Sequence, residues 1–201
     1  MKLKVLFFFV FITSLVFCQD KSEVFKAIKE YQTEANEKFS NPETSILDSL
    51  DLISFKRLEF YPADLKFNVK ATFVRTPDEK PFLMKTSTSR LPEYVKYGEA
   101  HFSINEELLT LNLYKSTREV ENPEEDYLFV PFTDLTSGDG SYGGGRYIEL
   151  DIPTTEIIYI NFNLAYNPYC AYSARYSCPI PPKENDILVR IEAGVKDFGH
   201  H

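Results

Sequence analysis

KFNVKATFVR, residues 66–75, decides the fold class. Phe67, Val69, Ala71 and Phe73 alternate with Asn68, Lys70 and Thr72, and a period of two is the mark of a strand with one buried face. The chain before it has a different rhythm. Over residues 20–38, Val24, Ile28, Tyr31 and Ala35 recur at helical spacing, and Asp20 followed three residues on by Glu23 has the form of a capping box. Pro42 closes that helix, and one more helical turn is expected within residues 45–52. After residue 66 the period stays at two. Further strands are expected at residues 82–87, 94–104, 108–114, 127–132, 146–152, 157–163 and 187–193. Short polar connections such as residues 105–107 imply hairpins, and no helical crossover separates the strands. The expected fold is therefore mainly β: an antiparallel meander closing as a small barrel, with a sandwich as the alternative, behind an N-terminal amphipathic helix.

The first 18 residues read as a signal peptide. Lys2 and Lys4 form a short positive region, and the apolar run at residues 6–17 is too short to span a membrane as a helix. Val16 and Cys18 suit a cut ahead of Gln19; the alternative, acylation of Cys18 in a lipoprotein, places the bulky Phe17 where a small residue is wanted. The expected organisation is a leader at residues 1–18 and a single β-rich domain at residues 19–201. The expected location is extracytoplasmic, periplasmic or secreted, with membrane anchoring only if Cys18 is lipidated and no transmembrane span. The chain has 22 basic and 30 acidic residues, and loss of Lys2 and Lys4 leaves 20 against 30, a net charge of −10. Nucleic acid is disfavoured as a partner, while a small molecule, glycan or peptide ligand is compatible with this charge.

Residues 163–187 break the rhythm of strands with Pro168, Pro179, Pro181 and Pro182, and are expected to form a stiffened loop. This loop carries the two cysteines that remain after the leader, Cys170 and Cys178, for which a disulfide is the default in an oxidising compartment.

Two stretches, FVPFTDLTSGDGSYGGGRYIELDIP at residues 129–153 and INFNLAYNPYCAYSARYSCPIPPKENDILVRIEAGVK at residues 160–196, resemble the bacterial family catalogued as a domain of unknown function, number 1684. The resemblance weakens towards the hairpin at residues 97–114 and the helix. It implies no activity or cofactor. The chain departs from the family pattern at Ser141, where threonine is common, at Asn161, where aspartate is usual, and at Val195, where glutamate usually follows the closing AG.

Parity places Asp134 and Arg146 on the core side at the ends of neighbouring strands, joined by DLTSGDGSYGGGR. Such a pair either anchors a ligand at a cavity mouth or holds the loop in place as a buried ion pair. The connection is not a phosphate loop, since a strand and not a helix follows it, and not an EF-hand, since Gly145 stands at its twelfth position. The glycine turn at residues 138–145 and the loop at residues 166–182 are expected to meet at one end of the sheet, because the strand at 157–163 follows its predecessor after residues 153–156 and should run back beside it. Asp134, Thr136, Tyr142 and Arg146 on one side, with Asn161, Asn163, Tyr166 and Asn167 on the other, are the candidate ligand-binding residues. Tyr169 and Tyr172 extend that polar and aromatic set. Conventional catalysis has little support: His101 falls within a strand, His200 and His201 end the chain, and neither metal-ligand spacing nor a cofactor motif is present. The expected role is a ligand- or partner-binding module. A hydrolase using Asp134 or the tyrosine and asparagine cluster, and a structural envelope component, are the alternatives.

Overall fold

The computed structural model describes residues 21–120, 122 and 126–199; the expected leader, Cys18 and the Asp20 cap lie outside the described residues. The first helix, α1 (Lys21–Ser40), buries Val24, Ile28 and Phe39, so the 3.6-residue stripe read from the sequence is its packing face. A six-residue helix, α2 (Ser49–Ser54), lies slightly later than expected. Then come β1 (Asn68–Arg75), β2 (Phe82–Leu83), β3 (Glu93–Ile104), β4 (Glu107–Ser116), β5 (Tyr127–Asp134), β6 (Arg146–Asp151), β7 (Ile157–Asn161) and β8 (Asp186–Ile187). No helix among the described residues is long and apolar enough to cross a membrane.

The sheet runs in the order β6-β5-β4-β3-β1-β7, with β2 paired to β3 and β8 to β5. It is mainly antiparallel and curled into a half-barrel. The β3–β4 hairpin turns through Asn105 and Glu106 at φ 50 and 68, the left-handed pair that a two-residue turn of this twist requires. A bulge between Lys96 and Gly98 exchanges the faces of β3, so Ala100, Phe102 and Ile104 join the main core while Tyr94 joins the aromatic cluster on the opposite face.

Beyond the shortening of the expected 82–87 strand to Phe82–Leu83, two strand expectations change. β7 does not lie beside β6 but pairs with β1 at the opposite edge of the sheet. Six flat strands would hold these edges about 24 Å apart, whereas the six Cα steps from Asp151 to Ile157 reach at most about 21 Å, so the short link demands the curl. The antiparallel sense survives, and β7 still returns towards the glycine turn. The second change is at residues 187–193, where only Asp186–Ile187 pair as a strand, and they do so parallel to β5. Ile187, Val189, Ile191 and Ala193 are nevertheless all buried in the main core. There the period of two records burial, not pairing.

The core fills the inside of the curl. Residues from β1, β3, β4, β5, β6 and β7 converge on Phe162, Ala165 and the 187–193 segment, which together plug the half-barrel.

Candidate functional site

Since Leu128, Val130, Phe132 and Ile148 face inward, their alternates Tyr127, Phe129, Tyr147 and Glu149 face out from β5 and β6. Phe129 stands opposite Glu149 on β6 and opposite Tyr114 on β4. Aromatic rings continue along this outer face at centroid separations of 5.7 Å for Tyr94–Phe129, 4.7 Å for Phe129–Tyr147 and 5.7 Å for Tyr147–Tyr166. Tyr31, Glu34 and Lys38 of α1 form the facing wall of a cleft of about 540 Å³, closed at one end by the proline-rich loop. Ten of its twenty lining residues are aromatic, and its volume falls in the usual range of small-molecule sites.

Glu149 is the focus of its electrostatics. The Tyr166 hydroxyl donates to the Glu149 carboxylate, and no basic side chain among the described residues is ion-paired with it. Burial, and after it the Glu149 charge, raises the phenols of Tyr31 and Tyr166 well above the ordinary range and that of Tyr127 to about 12. Tyr94 is also raised by burial, with Arg90 opposing and Glu149 reinforcing the shift. All four phenols are therefore neutral donors at neutral pH. Lys38, the one basic residue of the lining, hydrogen-bonds the Tyr169 hydroxyl at 2.9 Å and lies 5.6 Å from the centre of that ring.

The pair expected at the strand ends forms inside the protein, away from this cleft. Arg146 Nη2 lies 3.0 Å from Asp134 Oδ1, with side-chain exposures of 0% and 1%. Thr136 Oγ1 donates to the same carboxylate and meets Ser141 Oγ at 2.8 Å, so the hydroxyl that Ser141 shares with threonine is in use. The backbone N–H of Ile191 donates to Asp134 Oδ2 at 2.8 Å, and Arg146 donates to the carbonyls of Ile191 and Ala193. These bonds replace the ladder that the 187–193 segment lacks. They tie it to the glycine turn, where Gly138, Gly140 and Gly145 take φ of 78, 110 and 87.

The remaining candidates divide. Asn163 is buried and braces residue 64, accepting from Asp64 N at Oδ1 and donating to Asp64 O from Nδ2. Asn161 Oδ1 accepts from the Asn163 backbone and side chain, bonds that an aspartate oxygen would also accept. Val195, at the family's glutamate position, is buried in an apolar cluster. Tyr142 leaves the sheet towards Cys170, its hydroxyl 3.9 Å from Sγ. Tyr166, Asn167, Tyr169 and Tyr172 line the cleft, and the Asn167 amide donates to the Lys196 carbonyl. Asp134, Arg146 and Asn163 thus do not converge on one pocket. The two loops do touch, since a Cβ on Gly145 would meet Pro181 at 2.8 Å, and beside that contact Tyr147 of β6 exchanges backbone hydrogen bonds with Tyr166. His101 is exposed, bonded to Thr110 and facing Glu99 at 3.2 Å.

The disulfide expected between Cys170 and Cys178 is not formed in this structure: the two thiols lie side by side and unbridged, with Cys178 on the cleft wall. A hydrogen bond from Cys178 lowers the Cys170 thiol to about 6, and the same contact together with burial pushes Cys178 up. Tyr31, Glu34, Lys38, Tyr94, Tyr127, Phe129, Tyr147 and Glu149 were not among the sequence candidates. The available signal was three aromatic residues, Tyr127, Phe129 and Tyr147, on the non-core parity of adjacent strands, more apolar area than a solvated face normally carries.

The family model described as Protein of unknown function (DUF1684) matches residues 53–196. Among solved structures, an uncharacterized protein of Haloarcula marismortui, determined by NMR in solution, is 28% identical over 90% of this chain and 98% of that one, with a TM-score of 0.70. No curated protein matches.

Proposed function

Because the chain belongs to the DUF1684 family, whose description assigns no activity, its own geometry must supply a role, and we propose that it is a binding protein that takes a small ligand into the outer cleft. The observation that carries this reading is an open cleft of about 540 Å³ in which half the lining residues are aromatic. Rings in such a wall offer contact area at low entropic cost, and the phenol and carboxylate groups fix orientation. A hydrolytic role for Asp134 has no access route, since that residue is 5% exposed. Thermal-shift screening with ammonium compounds, sugars, short peptides and lipids should give a stabilising ligand, and Tyr166→Leu should abolish the shift while leaving the unliganded melting temperature within a few degrees. Stabilisation that persists in Tyr166→Leu would move the site elsewhere.

The working location is outside the cytoplasm. The leader-like residues 1–18 support this, as does the adjacency of Cys170 and Cys178, which suits a disulfide in an oxidising compartment. Closing that loop would restrict the unfolded chain by about 2 to 3 kcal/mol. Intact-mass measurement of the exported protein should give a chain beginning at Gln19 with no alkylatable thiol before reduction. A mass retaining residues 1–18, or two labelled thiols, is the opposing result; a lipid adduct on Cys18 would select the anchored form.

A further inference from the structure

Glu149 is exposed to the cleft, has a single phenol donating to it, and stands among rings from four elements: Tyr31 of α1, Tyr94 of β3, Tyr127 of β5 and Tyr166 of the loop. The face of an aromatic ring carries negative potential and attracts cations. A carboxylate surrounded by such rings is matched to a positive charge that also carries apolar surface. The one basic side chain of the lining, Lys38, is engaged at the Tyr169 hydroxyl, 2.9 Å away. Glu34 adds a second acidic group to the lining, so two carboxylates face one lysine, and the whole chain carries a net charge of −8. An anionic ligand would meet repulsion from both. A sugar would find few amide donors, because the Asn167 Nδ2 is committed to Lys196. No group of three metal-ligating side chains occurs among the described residues.

We infer that the cleft binds an organic cation, an alkyl or quaternary ammonium, with its charged head at the Glu149 carboxylate and its apolar substituents on the surrounding rings. This rests on the reading of the cleft as a ligand site. The carboxylate supplies the charge, the rings supply contact that water cannot match, and the phenolic hydroxyl of Tyr166 holds the Glu149 side chain in place.

The test is calorimetric titration of the whole protein with benzyltrimethylammonium and choline, against the neutral choline isostere 3,3-dimethylbutan-1-ol and the sugar cellobiose. The ammonium ions should bind at least about tenfold more tightly than the isostere. Glu149→Gln, which keeps an oxygen for Tyr166 to donate to, should weaken ammonium binding about tenfold and leave the isostere unchanged. Tyr31→Leu, which keeps apolar bulk without a ring, should act in the same direction. If isostere or cellobiose binds as well as the ammonium ions and loses affinity in Tyr166→Leu, the cleft is a ligand site but its ligand is not a cation, and this inference falls alone. Ammonium binding that is indifferent to both Glu149→Gln and Tyr31→Leu also overturns it. Binding by none of the four probes removes the cation inference, and a ligand screen equally without response would remove the cleft reading with it.

Discussion

Arg146 is fully enclosed; its two terminal nitrogens donate to Asp134, Thr136 and the carbonyls of Ile191 and Ala193, while its Nε has no partner among the described residues. A buried charge is tolerable only with such partners, because removing one leaves the other desolvated and unpaired. Replacing Arg146 by methionine or Asp134 by asparagine should each cost about 3 to 5 kcal/mol in urea unfolding, and the double replacement should cost clearly less than the sum. Full additivity would refute the coupling. Its position was legible in the sequence because parity alone put both charges on the core side. Its purpose was legible only in part: a buried pair holding the glycine loop was one of the two readings, but its other partner, the 187–193 segment, looked like a strand able to satisfy itself. Glu149 was illegible for the opposite reason: an acidic residue on the outward parity reads as solvated, and nothing local announces that rings from α1 and a distant loop gather around it.

The glycine turn is the element on which both halves of the structure lean. Gly145 sits at φ 87, and a Cβ there would lie 2.5 Å from the Phe132 carbonyl oxygen and 2.8 Å from Pro181. Gly143 takes no such φ, and a Cβ there would meet nothing closer than 3.7 Å. Gly145→Ala should therefore destabilise by about 2 kcal/mol or more, combining backbone strain with two clashes, while Gly143→Ala should stay within about 0.5 kcal/mol of the parent. Equal costs measured by chemical denaturation would mean that the close approach is not a constraint. At this scale the sequence foretold most elements, because hydrophobic period is a local quantity. It misplaced β7 and overextended the last strand, because pairing partners are set by tertiary closure, which a short link between two strands does not specify.

The whole molecule resolves into an inner face that stores apolar residues and an outer face that is only half covered. α1 and the proline-rich loop cover it on two sides and leave the cleft between them. The helix wall, with Tyr31, Glu34 and Lys38, lies outside the 53–196 span matched by the family model, whereas the sheet wall, with Tyr94, Tyr127, Tyr147 and Glu149, lies within it. The cleft also draws on Val195, so its lining reaches from the first helix to the far end of the sheet-forming chain. Since the two walls are distant in sequence and meet only in the folded chain, occupancy and global folding are linked by mass action. A ligand at a hundred times its Kd would add about 2.7 kcal/mol to the folded state, and any lesion that loosens the helix would reappear as an apparent loss of affinity even where every binding contact is intact.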